Sequence, residues 1–274
     1  MAGHADQTHS TMRLFFWNIL HGGGSNRIPE IALALVASDA DAIVLAEFRT
    51  TMGGQLRGVL ADHGWEHQAC TDPPEGRNGL LIASRRPIAP LDAPAFPGQT
   101  SPAPPSQRLL TVRFSTCGTA LLAAHVPPLE ARDGEAQEVW RRLIDLAAAH
   151  AATDTLILGD LNAGRFFADE AGTTGPRRLH KDPPALQRVG AESLGRLALL
   201  GYADAWRAAN TRENAPISRE FTWFSHLKRG VRIDHALASA SLLPRVAAVR
   251  YEHSLRETSL SDHAPVVVDI SDPA

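Results

Sequence analysis

Residues 155–162 read Thr-Leu-Ile-Leu-Gly-Asp-Leu-Asn, an apolar run that ends in a carboxylate and an amide two positions apart. Side chains alternate along an extended chain, so Asp160 and Asn162 project to the same side. They stand where a strand leaves a core, the place at which open α/β sheets bind ligands. Five other places repeat the design. Trp17-Asn18, Ala46-Glu47 (with Arg49 just beyond) and Ala124-His125 end apolar runs; Arg232-Ile233-Asp234 opens one, and Ser261-Asp262-His263 precedes the last. Asn, Asp and Ser also occupy such corners simply because they turn the chain. One corner alone therefore carries no chemistry.

Taken together, the six corners do. Glu47, Asp160 and Asp262 are hard oxygen ligands of the kind Mg²⁺ or Mn²⁺ prefers. Asn18 and Asn162 supply amides for a phosphate oxygen or a water. His125 and His263 are the residues of this set that move protons near neutral pH. Asp234 is suited to accept the second ring N–H of a histidine and fix its tautomer. A divalent cation, amides and a carboxylate-oriented histidine are what phosphoester hydrolysis requires.

The elements that must position these residues alternate between strand and helix. Segments 13–17, 42–46, 79–84, 109–114, 119–124, 155–159, 221–224, 233–238, 247–250 and 266–270 read as strands. Segments 27–38, 51–63, 135–150 and 192–200 read as helices; in 135–150, Val139, Leu143, Leu146 and Ala147 form one apolar stripe. Strands 109–114 and 119–124 are joined by the turn Cys117-Gly118. Residues 87–105 (proline-rich) and 164–190 (rich in Gly, Pro and Arg) are expected to be long loops. Gly22, Gly23 and Gly24, with no Gly-Lys-Ser/Thr after them, are expected to form a flexible turn with no helix starting there. Residues 1–12 read as a disordered leader and 13–274 as a single domain.

Composition narrows the possibilities. The net charge of −3 provides no global basic footprint for nucleic acid. Between 165 and 232, however, twelve Lys/Arg face seven Asp/Glu, which fits either a solvated surface or a polyanion-binding face. Cys70 and Cys117 have no CxxC partner, so a disulfide framework or a zinc-thiolate site is not expected; both are read as small buried residues of a reducing compartment. No apolar run approaches the roughly 18 residues that span a bilayer. A cytoplasmic location and a monomeric state are the default expectations.

The ordered series Trp-Asn, Leu-x-Glu, a central His, Gly-Asp-x-Asn, Arg-Ile-Asp and Ser-Asp-His resembles the endonuclease/exonuclease/phosphatase superfamily. Residues 201–207 and Phe221-Thr222-Trp223 are similar to segments of its exonuclease III branch. The resemblance implies a DNase I-like four-layer α/β sandwich, with two packed mixed β-sheets flanked by helices. It implies a hydrolase dependent on Mg²⁺ or Mn²⁺. Glu47 would be the principal metal ligand, with Asn18 beside it and Asp262 completing the site. Asp160 would orient or deprotonate the attacking water. Asn162 would hold the scissile phosphate, and Arg49 and Asn78 would be further substrate contacts. His263, paired with Asp234, would stabilise developing charge or act as the base, an alternative the family pattern leaves open. His125 would bind the phosphate or assist the leaving group.

The chain departs from the exonuclease III pattern at Leu20, where a polar metal-side residue is usual, and at His125, where a Tyr is common. The expected activity is that of a metal-dependent phosphodiesterase, foremost a nuclease acting on DNA or RNA. Trp206, Trp223 and Phe224 would flank a base or pack in the core. The alternatives are a hydrolase of a small or lipid phosphoester and an inactive binding scaffold. Only two lysines, Lys181 and Lys228, argue against a dense phosphoinositide pocket.

Overall fold

The structure is a computed structural model, which describes residues 11–91, 107–128, 134–163, 184–210, 220–224 and 230–273. The first half runs β1 (Thr11–Asn18), α1 (Gly24–Ala37), β2 (Ala42–Phe48), α2 (Thr50–Asp62), β3 (His67–Cys70) and β4 (Gly79–Ser84). It continues through β5 (Ile88–Pro90), β6 (Leu109–Phe114), β7 (Ala120–His125), α3 (Glu135–His150), β8 (Thr155–Asp160) and α4 (Pro184–Leu199). The remainder is β9 (Ala203–Asp204), α5 (Ala205–Asn210), β10 (Trp223–Phe224), β11 (Gly230–Val231), β12 (Asp234–Ala238), β13 (Val246–Tyr251), α6 (His253–Glu257) and β14 (Val266–Ser271).

These strands build two six-stranded sheets, ordered β13-β14-β1-β2-β4-β3 and β5-β6-β7-β8-β12-β9, plus the small ribbon β10-β11. Each large sheet holds one parallel pair, β1 with β2 and β7 with β8, and its other pairings are antiparallel. A helix bridges each parallel pair, α1 in the first sheet and α3 in the second, as such crossovers require. Strands buried on both faces read as continuous apolar runs, and here they are. Met12, Leu14 and Phe16 of β1 point with Val44, Leu121, Leu158 and Val266 into the layer between the sheets. Phe15 and Trp17 point the other way, against Ile28, Ile31 and Leu56 of α1 and α2. On the outer face of the second sheet, Leu122 and Ile157 meet Val139, Trp140 and Leu143 of α3. Four layers result: helix, sheet, sheet, helix.

The sheet register explains how distant corners meet. Parallel partners finish together, so Asn18 stands beside Ala46 and His125 beside Asp160. Antiparallel neighbours must begin where those strands finish. Asp234, the first residue of β12, lies opposite Asp160, and β14 starts opposite Phe16. The C-terminal ends of β1, β2, β7 and β8 and the N-terminal ends of β12 and β14 thus share one edge of the sandwich. Close approach at this edge demands glycine: a Cβ on Gly159 would lie 1.9 Å from the Ala124 carbonyl oxygen on the neighbouring strand.

Several boundaries differ from the sequence reading. Thr11 and Met12 belong to β1, with Met12 fully buried, because pairing with Ser271 and Ile270 extends the strand into the expected leader. The proline-rich stretch begins with an edge strand, β5, tolerated because Pro90 has no N–H to offer and sits at the sheet margin. Helix α1 starts at Gly24, immediately after the glycine turn, with Gly23 in a left-handed conformation as its N-cap. Helix α4 starts at Pro184 rather than 192. Cys70 and Cys117 are free and half-buried, not fully buried. The remainder of the two expected long loops, 92–105 and 164–183, lies outside the described residues. Among the described residues, no helix is long and apolar enough to cross a membrane.

Candidate active site

Glu47 owes its aim to a break in strand alternation. In β2, Ala42, Val44 and Ala46 face the inter-sheet layer while Ile43 and Leu45 face the helices. Phe48 should then face inward but packs with the helix side, and the β2–β4 register shifts between Ala46 and Phe48. The extra residue is Glu47, with φ of +58°. A bulge of this kind turns a side chain out of the strand pattern, and here it turns the carboxylate toward the sheet edge. Asn162 has a similar left-handed backbone, φ +47°, just past β8. Non-glycine residues in this region carry about 1–3 kcal/mol of strain, a cost that clusters at functional sites.

At the edge, Asn18, Glu47, Asp160 and Asn162 form one hydrogen-bonded group, and the His263–Asp234 pair and His125 face it. The Asn18 amide nitrogen donates to Asp160 Oδ2 at 3.0 Å and to Glu47 Oε1 at 3.3 Å, joining the two sheets. Its oxygen accepts the Leu20 N–H at 3.0 Å. Asn18 therefore presents a donor, not a ligand oxygen, to both carboxylates. The other Asp160 oxygen accepts the Asn162 N–H at 3.1 Å, while the Asn162 side chain donates to the Val126 carbonyl at 2.8 Å. His263 Nδ1 lies 2.9 Å from Asp234 Oδ2, and its Nε2 lies 3.9 Å from Asp160 Oδ2 and 4.0 Å from Asp262 Oδ1. His125 Nε2 lies 3.8 Å from Glu47 Oε1 and 4.0 Å from Asp160 Oδ2. Separations near 4 Å are too long for direct hydrogen bonds. The two imidazoles and the Asp160 carboxylate thus face one another without exhausting their hydrogen-bonding capacity.

The partners of each histidine set its proton. Asp234 only accepts, so His263 carries hydrogen on Nδ1. Burial opposes charge on this ring, but the Asp234 carboxylate and its hydrogen bond outweigh burial and push the His263 pKa up to about 10. His125 is the reverse case. Its burial, reinforced by the Arg108 guanidinium 3.0 Å from Nδ1, lowers its pKa to about 4. A guanidinium only donates, so His125 is neutral with its hydrogen on Nε2, the atom nearest Glu47 and Asp160. Asp160 is lifted to about 7 by burial and by the charge of Asp234. Glu47 is held below its ordinary value: burial works against this, but attraction to the His125 ring when that ring is charged, in acid, and the bonds from His21 and Asn18 prevail.

Sequence reasoning missed Arg108 and the part that Thr222, Trp223 and Trp17 play in holding this set in place. Arg108 was not singled out, although its place next to β6, which pairs with β7, puts it beside His125. Thr222, completely buried, accepts the N–H groups of Ile233 and Asp234 on its hydroxyl, each at 3.1 Å. The Trp223 indole N–H donates to Asp262 Oδ2 at 2.7 Å, and Trp223 bridges His263. The Trp17 indole N–H donates to the His263 carbonyl at 3.0 Å. Trp206 lies in the core, stacked on Tyr251 at 5.6 Å with Arg232 5.7 Å from its ring. Arg232 is buried in an ion pair with Asp204 at 2.7 Å, next to the segment that presents Asp234. Arg49 and Asn78 lie at the margin of the cluster and pair with each other, Arg49 Nε to Asn78 Oδ1 at 2.7 Å, with the Asn78 amide 3.4 Å from the His21 ring that contacts Glu47.

The donor set suits a hard divalent cation. Four carboxyl groups (Glu47, Asp160, Asp234 and Asp262) gather at this edge beside the protonated His263 and the Arg108 guanidinium. Asp262 Oδ1 is buried without a hydrogen-bond partner, which leaves it available as a ligand. Asp160, Asp234 and His263 each offer a donor atom within 4.8 Å of the other two. This trio differs from the set Asn18, Glu47 and Asp262 expected from the sequence.

A sandwich of two six-stranded mixed sheets with carboxylates and histidines at one edge defines a DNase I-like phosphoester hydrolase. The chain belongs to the Endonuclease/Exonuclease/phosphatase family, whose sequence profile matches residues 15–263. Among solved structures, it is similar to the 3′ phosphatase NExo from Neisseria bound to a product DNA hairpin (TM-score 0.71, 22% identity, covering 95% of this chain and 99% of that one). It is also similar to an AP endonuclease from Archaeoglobus fulgidus (TM-score 0.68, 19% identity, 96% and 100% covered). A third relative is an endonuclease/exonuclease/phosphatase from Beutenbergia cavernae DSM 12333 (TM-score 0.60, 22% identity, 96% and 72% covered). No curated protein matches the sequence.

Proposed function

We propose that the protein is a divalent-metal-dependent nuclease, hydrolysing a phosphodiester bond of DNA or RNA. The observation that carries this reading is the position of Asp160. It is buried between the Asn18 amide and the protonated His263, with a pKa near neutrality. The family membership and the DNA-directed names of two similar structures support nucleic acid as the substrate class.

Each residue follows from its proton state. Asp160 is the group able to accept a proton from an attacking water near pH 7, so we assign it as the base. His263 stays protonated through neutral pH and cannot act as base there. It supplies a charged donor to the oxygens of the phosphorane-like transition state. Asp234 holds that ring in one tautomer. Neutral His125 offers its Nε2–H to a phosphoryl oxygen, and Asn162 has a second amide hydrogen available beyond its bond to Val126. Glu47 and Asp262 would hold Mg²⁺ or Mn²⁺, with Asn18 bracing Glu47 against Asp160. A bound cation would neutralise phosphate charge and polarise the scissile group.

A substrate panel tests the assignment: single- and double-stranded DNA, abasic DNA, RNA, sphingomyelin and inositol phosphates, each with Mg²⁺, Mn²⁺ or EDTA. The expected result is cleavage of a nucleic acid that EDTA abolishes. Turnover confined to the lipid or inositol substrates would refute the substrate class. Turnover unaffected by EDTA would refute the metal role.

A further inference from the structure

Five consecutive residues after Ile19 have left-handed backbones: Leu20 (φ +51°), His21 (+54°), Gly22 (+77°), Gly23 (+75°) and Gly24 (+65°). Two of them, Leu20 and His21, lack glycine's freedom and carry strain that something must repay. The turn closes on itself through Gly23 N–H to the Leu20 carbonyl at 3.1 Å. Arg27 ties it down, reaching the carbonyls of Leu20 at 3.1 Å and Leu260 at 2.6 Å. A Cβ on Gly22 would lie 2.9 Å from the Arg49 side chain, and one on Gly23 would lie 2.7 Å from Ile31. The glycines therefore let the turn press onto Arg49, two residues beyond Glu47, on one side and onto Ile31 of α1 on the other.

The result of this turn falls on Glu47. The main-chain N–H of His21 donates to Glu47 Oε2 at 2.6 Å, and His21 Nδ1 lies 2.8 Å from the same oxygen. A carboxylate only accepts, so Nδ1 carries the hydrogen; the Asn78 amide, 3.4 Å from Nδ1, is the weaker neighbour. Both donors occupy Oε2, while Oε1 faces Asn18 and His125.

We propose that His21 is the positioning residue of the metal centre, clamping Oε2 of Glu47 with two donors so that Oε1 is fixed toward the cation. This rests on the reading of Glu47 as a metal ligand. Partners that orient a ligand in this way typically change metal affinity by about 10–100-fold.

The test uses His21→Gly, which keeps the main-chain donor, suits the left-handed backbone and removes only the ring. His21→Asn, whose side chain tolerates this backbone and restores a donor, serves as the conservative variant. Calorimetric titration of the full chain with Mn²⁺ and Mg²⁺ should show affinity reduced about 10–100-fold in His21→Gly and partly regained in His21→Asn. The metal concentration for half-maximal activity should rise by a similar factor, with a smaller change in kcat. Unchanged metal affinity in His21→Gly overturns the proposal. So does electron-spin-echo modulation of bound Mn²⁺ by a directly coordinated nitrogen that vanishes in His21→Gly, because the ring would then be a ligand. Glu47→Ala separates the two readings: if it binds metal as tightly as the parent protein, Glu47 is not a ligand and the underlying site reading fails.

Discussion

Replacing Asp160 with Asn should abolish hydrolysis and at the same time stabilise the metal-free protein. Asp160 is buried beside Asp234, and these two causes lift its pKa from 3.8 to about 7. The unfolded chain releases this proton near pH 3.8, while the folded chain retains it until about pH 7. Stability associated with Asp160 is therefore unaffected below about pH 4, falls as pH rises through that window, and reaches its full deficit above pH 7. At about 1.4 kcal/mol per pKa unit, the deficit is about 4 kcal/mol. Asn cannot ionise and escapes it. One of its side-chain positions, however, becomes an NH₂ facing either the Asn18 amide or the Asn162 N–H, both donors. That mismatch costs about 1–2 kcal/mol.

The net gain at neutral pH is then about 2–3 kcal/mol, a Tm increase of about 3–5 °C for a chain of this size. Thermal unfolding of both proteins in EDTA, from pH 4 to pH 8, measures it. The variant should be the less stable protein by about 1–2 kcal/mol at the acid end, match the parent near about pH 5 and exceed it as pH rises further. Loss of the general base should also cost about 10²–10⁴ in rate. A variant less stable than the parent at pH 8, or a stability gap independent of pH, would refute the burial argument. Retained hydrolysis would remove Asp160 from the mechanism.

Other outcomes follow from the same geometry. In ¹⁵N NMR titrations of the metal-free protein, His263 should remain protonated past pH 8 and His125 neutral down to about pH 5; a midpoint near 6.5 for either ring contradicts its assigned partner. Asp234→Asn should bring the His263 midpoint down and lower kcat by about 10²-fold or more, since the charged donor is lost at working pH. Arg108→Met should raise the His125 midpoint, because a cation at Nδ1 is removed; no change would show that burial alone sets it. Gly159→Ala should destabilise by about 3 kcal/mol or more, as its methyl would overlap the Ala124 carbonyl oxygen, and an unaltered melting curve would mean that β7 and β8 do not approach so closely.

Much of this site was legible because chemistry-bearing residue types occur at strand ends. An apolar run followed by Asn18, Glu47, His125 or Asp160 identifies both the strand and the residue it presents. Three strands and one helix, β4, β6, β14 and α3, are clear for a related reason. Their apolar runs or stripes are complete, and their predicted limits differ from the observed ones by no more than one residue. Short edge strands such as β3 and β5 lack that signal: β3 is only half-buried along its length, and both are defined by a partner's hydrogen bonds.

The sequence by itself determined which side chains are available, their order along the chain and the strands that carry them. Local polarity and the two-residue period of an extended chain fix those properties. Only the tertiary structure decided what each group does. Asp234 charges one histidine, Arg108 keeps the other neutral, Thr222 and Trp223 set Asp234 and Asp262, and His21 reaches Glu47 across 26 positions. Proton state and orientation depend on burial and on contacts between residues far apart in the chain, and those exist only once the two sheets have packed.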